Sequence, residues 1–428
     1  MPMYQGSKRQ LIQPLRHIKQ YHIKHPLNIA AVMDYFKSFK GERYVFMNKD
    51  QSFKLVGIGH HSLFVDENIN PAYIEKEFIA HLKQSSVSED ILKRLKLFGG
   101  FHFDENESPN FSSFHKSHFV LPYIQLIEMS GELVVLAVDY ALDIDALVAH
   151  MQQFKHHVDK NTLMDATDID LELFKTNANK AIMMMQQGEL KKVVLSRKRK
   201  ITMQHSIDTL SLITHAEQSR ELSYFALMES GEHTFVTKTP EQLVRVEDGM
   251  IHTNAIAGTM GKDIKDAKVK LSEDTKNLYE HQIVVESIQA DLAPYTNKVI
   301  LKDAPDILDN QFFYHLYTPI QAELSTGGLL EVTESLHPTP ALGGYPKAIA
   351  MDFLTQASEG RGLYGAPLGY MDIAQEGEFI VAIRSMVIED NRAVLYAGCG
   401  IVKSSIVESE VHETEIKFKP MLEMLGVI

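Results

Sequence analysis

The chain has 428 residues, 44% hydrophobic and 23% charged, the balance of a soluble globular protein rather than a disordered, collagen-like or low-complexity one. Its 43 Lys and Arg against 56 Asp and Glu give a net charge of −13, which argues against nucleic acid as the main partner because phosphate binding needs a basic surface. A single cysteine, Cys399, allows no intrachain disulfide and fits a reducing cytoplasm; no apolar run reaches the roughly 18 residues that span a bilayer.

A single core stops growing at about 250–300 residues, so the length predicts one unusually large domain or two halves. The chain begins MPMYQGSKRQLIQPLRHIKQYHIKH, with Lys8, Arg9, Arg16, Lys19 and Lys24 and no acid before Asp34. No apolar segment follows those charges as in a secretory signal, and the stretch reads as a solvated, frayed leader. Short apolar runs then alternate with turn clusters: YVFM at 44–47, KLVGIG at 54–59, HFVLPYIQLI at 118–127 and GELVVLAVDYAL at 131–142. This pattern predicts mostly antiparallel strands with a few helices. The charged stretch VDKNTLMDATDIDLE marks a soft boundary between a divergent, β-rich half over 1–165 and a second region over 166–428.

The second region opens with a predicted helix near 170–187, a strand over 191–201 (KKVVLSRKRKI) and a helix near 207–219. Strand candidates follow at 222–228, 233–237, 242–246 and 250–256, then one long helical pattern over 263–293 and a helix near 346–357. LYGAPLGYM, EFIVAIRSMVI and RAVLYAGCGIV read as three strands, and a last helix begins near 408. Strands and helices without regular βαβ alternation predict an α+β fold.

Several residues carry chemistry that spacing alone leaves open. Lys192 shares a strand face with Val194 and Ser196, where lost hydration would lower its pKa toward that of a base; from spacing alone, with Lys198, Arg199 and Lys200 nearby, a basic edge strand is the better explanation. Glu241, in KTPEQLVR, is either a proton donor or an acid in a short helical turn capped by Thr239 with Pro240 first. Glu280 in KNLYEHQIVVESI and Glu413 in EVHETEIKFK border apolar helix stripes. Two such carboxylates could hold one Mg2+, although Glu413–Lys417 also reads as an ordinary surface pair. His281 invites zinc, but neither HExxH nor a cysteine cluster supports it. Arg384 stands in an apolar run and calls for an anionic partner. The Gly-rich YAGCGIV and HPTPALGGYP fit tight turns or backbone approach to an anion.

In this order KVVLSR, TPEQLVR, AIAGT, EHQIVVES, HPTPALGGYP, YGAPLGY, IRSM, LYAGCGIV and VHETEIKFK resemble the motifs of the chorismate-utilising enzymes. The resemblance is strong over about 170–428, loose before that, and closest to isochorismate synthases; an N-terminal part somewhat longer than in siderophore-type relatives favours the menaquinone type, with a catechol-siderophore type as the alternative. It implies one large α+β unit, with big antiparallel sheets packed together and helices outside. By motif, Lys192 resembles the lysine that activates water, and Glu241 the acid that protonates the departing hydroxyl. Glu280 and Glu413 resemble the two Mg2+ ligands. Arg384, Tyr396, Gly398 and Lys417 resemble the groups that hold substrate carboxylates, Gly258 the glycine lining that site, and Ala341 and Leu342 the loop that approaches the ring. The implied substrate is chorismate, with no glutaminase subunit: the ammonia-using relatives tend to lack the lysine. Salicylate synthases keep both lysine and acid and then eliminate pyruvate. A non-enzymatic chorismate-binding relative is the remaining alternative, and retention of base, acid and both metal ligands argues against it.

Overall fold

The computed structural model describes residues 12–158, 160–309 and 313–428. Two large antiparallel sheets dominate it. The first has twelve strands, in the order Ile18–Ile23, Glu132–Val138, Ile124–Met129, Phe53–Ile58, Arg43–Met47, Tyr224–Ser230, His233–Thr239, Ser385–Glu389, Arg392–Val402, Lys192–Met203 and Gly344–Tyr345, with Leu163–Ile169 also paired to Lys192–Met203. The second has ten, running from Val299–Leu301 through Phe313–Glu323, Met250–Gly261, Gln242–Glu247, Gly377–Val381, Pro367–Met371, Leu97–Phe101 and Ser117–Leu121 to Ser62–Asp66, with Asp306–Asp309 on Phe313–Glu323. Both sheets draw strands from either side of residue 165.

Period-two alternation explains how the first sheet stands between two cores. Along Arg43–Met47, Tyr44 and Phe46 join the core shared with the second sheet. Val45 and Met47 join a core under the helices Ile29–Tyr35, Ile144–Gln153, Thr209–Gln218 and Val407–Met424. This is the α+β arrangement that the motifs imply.

The main departure from the sequence reading lies at three corners. HFVLPYIQLI is not one strand: Ser117–Leu121 belongs to the second sheet, and after Pro122 the chain enters the first as Ile124–Met129. EFIVAIRSMVI divides in the same way into Gly377–Val381 and Ser385–Glu389. Thr239, Pro240 and Glu241 form no helical turn; they join His233–Thr239 of the first sheet to Gln242–Glu247 of the second. Apolar periodicity runs through such corners because both strands face the shared core.

Three smaller differences have plain causes. The long helical pattern breaks at Asp274 into Ala267–Glu273 and Thr275–Leu292, and the Asp274 carboxylate caps the second helix by accepting from the Asn277 N–H at 2.7 Å. The charged stretch at the boundary contains an edge strand, Leu163–Ile169, whose Asp168 binds Arg197 and Arg199. The basic leader is not frayed over its described part. Ile18–Ile23 pairs with Glu132–Val138, and Asp139 accepts from the N–H groups of Arg16 and His17; Lys8 and Arg9 lie outside the described residues.

Candidate active site

Two of the corners lie side by side. The Val381 N–H donates to the Glu241 carbonyl at 3.0 Å, and the Lys238 N–H donates to the Arg384 carbonyl at 3.1 Å. Glu241 turns back on Thr239, whose hydroxyl accepts its N–H at 3.2 Å. Arg384 occupies the left-handed region, φ 48°, so the corner rather than a strand sets where its side chain goes. Its ion partner in the protein is Glu221, at 3.6 Å.

Lys192 opens the strand Lys192–Met203, held between Arg392–Val402 and Gly344–Tyr345. Gly400 makes room for it: a Cβ there would stand 3.0 Å from Lys192 Cε and 3.7 Å from Nζ. Burial lowers the ammonium pKa from its ordinary value; Glu280, Glu241 and Glu413 oppose the shift and Lys417 adds to it. Neighbouring Lys191 is exposed, with its ammonium 5.2 Å from the Tyr345 ring centroid, so the geometry favours Lys192 of the two. Burial raises the Glu241 carboxyl pKa, against the cations Lys49, Arg384, Lys192 and Lys417.

Glu280 and Glu413 come from the helices Thr275–Leu292 and Val407–Met424. Both are about half exposed, and each has a lysine one turn away: Lys276 Nζ at 3.9 Å from Glu280 and Lys417 Nζ at 2.7 Å from Glu413. His281 is buried and bonded to the Ala257 carbonyl and the Thr318 hydroxyl, so it ties the Glu280 helix to two strands and is no zinc ligand. Gly258 adopts φ 77° at a bulge, where a Cβ would meet Leu316 and Asn277 at 3.0–3.2 Å. Only glycine fits there easily, and its absence of side chain lets the same helix approach.

Lys417 also donates to the Gly398 carbonyl at 2.8 Å. Above Gly398 stands the Tyr364 hydroxyl, 2.5 Å from where a Cβ would be. Leu342 is buried, and Arg361 pins its loop by donating to the Leu342 carbonyl at 3.1 Å and to the Val194 carbonyl. Arg361 is held in turn by Glu359, which accepts from the Ser196 N–H and hydroxyl. Ala341 is partly buried beside Leu342.

Residues 8–426 match the family described as "Chorismate binding enzyme". The chain belongs to the chorismate-binding enzyme family. Its relatives include isochorismate synthase MenF of Bacillus subtilis, 29% identical over 91% of this chain and 89% of that one. The salicylate biosynthesis isochorismate synthase of Pseudomonas aeruginosa is 36% identical over 62% of this chain and 57% of that one. Among solved structures the menaquinone-specific isochorismate synthase MenF of Escherichia coli shares the fold, with TM-score 0.78, 21% identity, and 98% of this chain and 96% of that chain covered.

The site of this chorismate-binding enzyme thus gathers Lys192, Glu241, Glu280, Glu413, Lys417, Arg384 and Gly398. Tyr396 is the expected contact that does not join them through its hydroxyl. Its side chain is fully buried between the sheets, and its hydroxyl accepts from Asn110 Nδ2 at 2.8 Å. Tyr364, stacked on it at 5.3 Å, is the phenol that reaches Gly398. Sequence reasoning missed Tyr364, which sits inside the quoted YGAPLGY but carries no charge to single it out. It also missed Lys49, from a half with no motif, and the Glu359–Arg361 pair.

The donor set fits Mg2+. Glu280 and Glu413 offer hard oxygen ligands from two helices, and their fields meet at Lys192. Among the described residues no group of three or more His, Cys, Asp or Glu is placed to hold a metal. Two protein carboxylates leave the other positions to water and substrate, the usual mode for Mg2+.

Proposed function

We propose that this enzyme is an isochorismate synthase, converting chorismate reversibly to isochorismate with Mg2+. Chorismate is a cyclohexadiene with two carboxylates and a 4-hydroxyl. Water adds at C2 and the 4-hydroxyl leaves. Lys192, neutral at the start, takes a proton from the incoming water. Glu241, protonated at the start, gives its proton to the hydroxyl, because bare hydroxide leaves poorly. In the reverse direction the charged forms act, Glu241 as base and Lys192 as acid. Arg384, Lys417 and the Tyr364 hydroxyl bind the carboxylates and fix the ring between base and acid. Ala341 and Leu342 offer no polar group to promote loss of the enolpyruvyl side chain. Glu280 and Glu413 would hold Mg2+, which neutralises a substrate carboxylate and draws electron density from the diene when bound.

The observation that carries this reading is the convergence of one lysine and one glutamate with opposite pKa shifts from a shared cause, burial, in a chain whose family binds chorismate. Menaquinone biosynthesis is the favoured pathway. The relative named MenF from B. subtilis aligns over 91% of this chain, whereas isochorismate synthase DhbC of the same organism aligns over 60%. No helix among the described residues is long and apolar enough to cross a membrane. Cys399 is a free, buried thiol, in keeping with a cytoplasmic site of action.

The test is product analysis. Chorismate with Mg2+ near neutral pH should give a chorismate–isochorismate mixture, and the same ratio should be reached from isochorismate. Salicylate and pyruvate formed at the rate of chorismate loss would make the enzyme a salicylate synthase instead.

A further inference from the structure

The strand that carries Lys192 is braced along part of one edge by side chains. Arg392–Val402 pairs with one edge over 192–202. On the other edge Gly344–Tyr345 pairs with Lys192 and Val193, and Leu163–Ile169 takes over beyond Arg197, pairing from Lys198 onward. Glu359 and Arg361 fill the gap. The Ser196 N–H and hydroxyl donate to the two Glu359 carboxylate oxygens at 2.9 and 2.8 Å, and Arg361 Nη2 donates to the Val194 carbonyl. The same guanidinium donates from Nε to Glu359 at 2.7 Å and from Nη1 to the Leu342 carbonyl at 3.1 Å, and its centre lies 4.3 Å from the Phe103 ring centroid. Arg361 is 2% and Glu359 9% exposed. The Val194 N–H ties the loop to the base strand a second time, donating to the Gly343 carbonyl at 3.0 Å. The approach is so close that a Cβ on Gly344 would stand 2.2 Å from the Lys192 carbonyl oxygen. The Arg361 carbonyl accepts from the Tyr364 N–H at 2.9 Å.

We infer that Glu359 and Arg361 are positioning residues for the base, a buried pair that fixes the spacing between the Lys192 strand, the loop at Ala341 and Leu342 and the Tyr364 segment. The inference rests on the isochorismate synthase reading. A planar guanidinium donates in several fixed directions at once, which a lysine ammonium on its flexible stem does not. Two of its acceptors here are main-chain carbonyls, Val194 on the base strand and Leu342 on the loop, so its width sets the distance between them. The third acceptor, Glu359, neutralises the charge, fixes the plane of the guanidinium and holds Ser196. Stability alone does not account for such a pair, because well-packed apolar residues commonly serve as well as a buried ion pair. Apolar residues could not bond the Val194 carbonyl and the Ser196 N–H, which strand pairing leaves open.

The experiment uses the full chain with Mg2+ and two variants. Arg361→Lys keeps the charge opposite Glu359 but cannot reach both carbonyls. Glu359→Gln/Arg361→Met removes both charges together, so no buried charge is left unpaired if the first variant fails to fold. In each folded variant kcat for isochorismate formation should fall on the order of 10², the cost of a misplacement of about 1 Å, while KM rises less than about threefold. A second measurement does not depend on turnover: amide hydrogen exchange followed by mass spectrometry. Peptides covering 191–197 and 339–346 should exchange faster than in the wild type, with the sheet around 224–239 unchanged. A lowered thermal midpoint with wild-type kcat and wild-type exchange in those two peptides would overturn the proposal and leave the pair a purely structural one. A wild-type chain that makes no isochorismate refutes the functional reading, and the exchange data still judge whether the pair holds the loop to the Lys192 strand.

Discussion

Gly398→Ala tests whether the Tyr364 phenol defines the substrate pocket. A methyl on Gly398 would lie 2.5 Å from the Tyr364 hydroxyl and 3.0 Å from the Leu195 carbonyl oxygen, so the phenol must withdraw by about 1 Å to reach ordinary contact. It has little room to do so. Tyr364 is 4% exposed and stacked at 5.3 Å on the fully buried Tyr396, which itself packs 5.7 Å from Phe111 and is bonded to Asn110. Overpacking of this kind costs about 1–3 kcal/mol of stability. A displacement of about 1 Å at a substrate-positioning group costs on the order of 10² in kcat/KM. Denaturant unfolding and steady-state kinetics with chorismate read the two effects separately, and most of the kinetic loss should appear in KM. The double variant Gly398→Ala/Tyr364→Phe, which deletes the clashing oxygen, should regain stability without regaining affinity. Gly400→Ala is the contrast: its methyl meets the flexible end of Lys192, so it should lower kcat more than KM. Wild-type kcat/KM in Gly398→Ala would refute the placement of Tyr364 in the pocket.

Lys192→Ala should leave chorismate binding largely intact and lower kcat by about 10²–10⁴, the usual worth of a positioned proton-transfer group, while Lys191→Ala should be mild; reversed outcomes would place the base one residue earlier. Excess EDTA should abolish turnover, and Glu280→Gln or Glu413→Gln should come close to doing so; full activity in EDTA would exclude these carboxylates as Mg2+ ligands for the reaction. A stability prediction concerns Glu75, 3% exposed, whose carboxyl pKa burial raises to about 7 while it accepts the Leu330 and Glu331 N–H groups. A folded pKa above the unfolded 4.5 means that the folded state binds the proton more tightly, so stability falls as pH rises from about 4.5 to 7. Glu75→Gln should therefore flatten that fall and stabilise the protein by about 1–3 kcal/mol at pH 8. A Glu75→Gln variant with an unchanged pH profile of unfolding would show that this carboxyl does not control it.

How far the sequence could be read follows from range. Lys192, Glu241, Glu280, Glu413 and Lys417 stand in motifs that keep residue type and local spacing, and the structure brings all five together. The corners were illegible because a strand that leaves one sheet and enters another keeps its apolar alternation whenever both sheets face the same core; Arg384 consequently read as a mid-strand charge. Tyr364 and Tyr396 are indistinguishable by composition, and only the Asn110 contact shows which phenol is already occupied. Lys49 had no motif to mark it. Its place over the Tyr224 ring exists because Arg43–Met47 pairs with Tyr224–Ser230 across the chain's two halves, a contact between residues far apart in sequence.

The arrangement also accounts for how one site can serve both directions of the proposed reaction. Burial moves Lys192 and Glu241 toward their neutral forms, the lysine down and the glutamate up, which are the forms that water addition requires. Pushed far enough, burial would trap the pair there, because the reverse reaction starts from ammonium and carboxylate. The charged neighbours act against it at each end: Glu280 and Glu413 favour the Lys192 ammonium, and Lys49 and Arg384 favour the Glu241 carboxylate. A cation bound by Glu280 and Glu413 would cancel the first of these influences and shift Lys192 toward the neutral base. Metal binding would then prepare the nucleophile as well as the substrate, and the acidic limb of the pH–rate profile should move to lower pH as Mg2+ is raised toward saturation. An acidic limb that stays fixed between limiting and saturating Mg2+ would separate the metal from the base and leave Mg2+ with the substrate carboxylate alone.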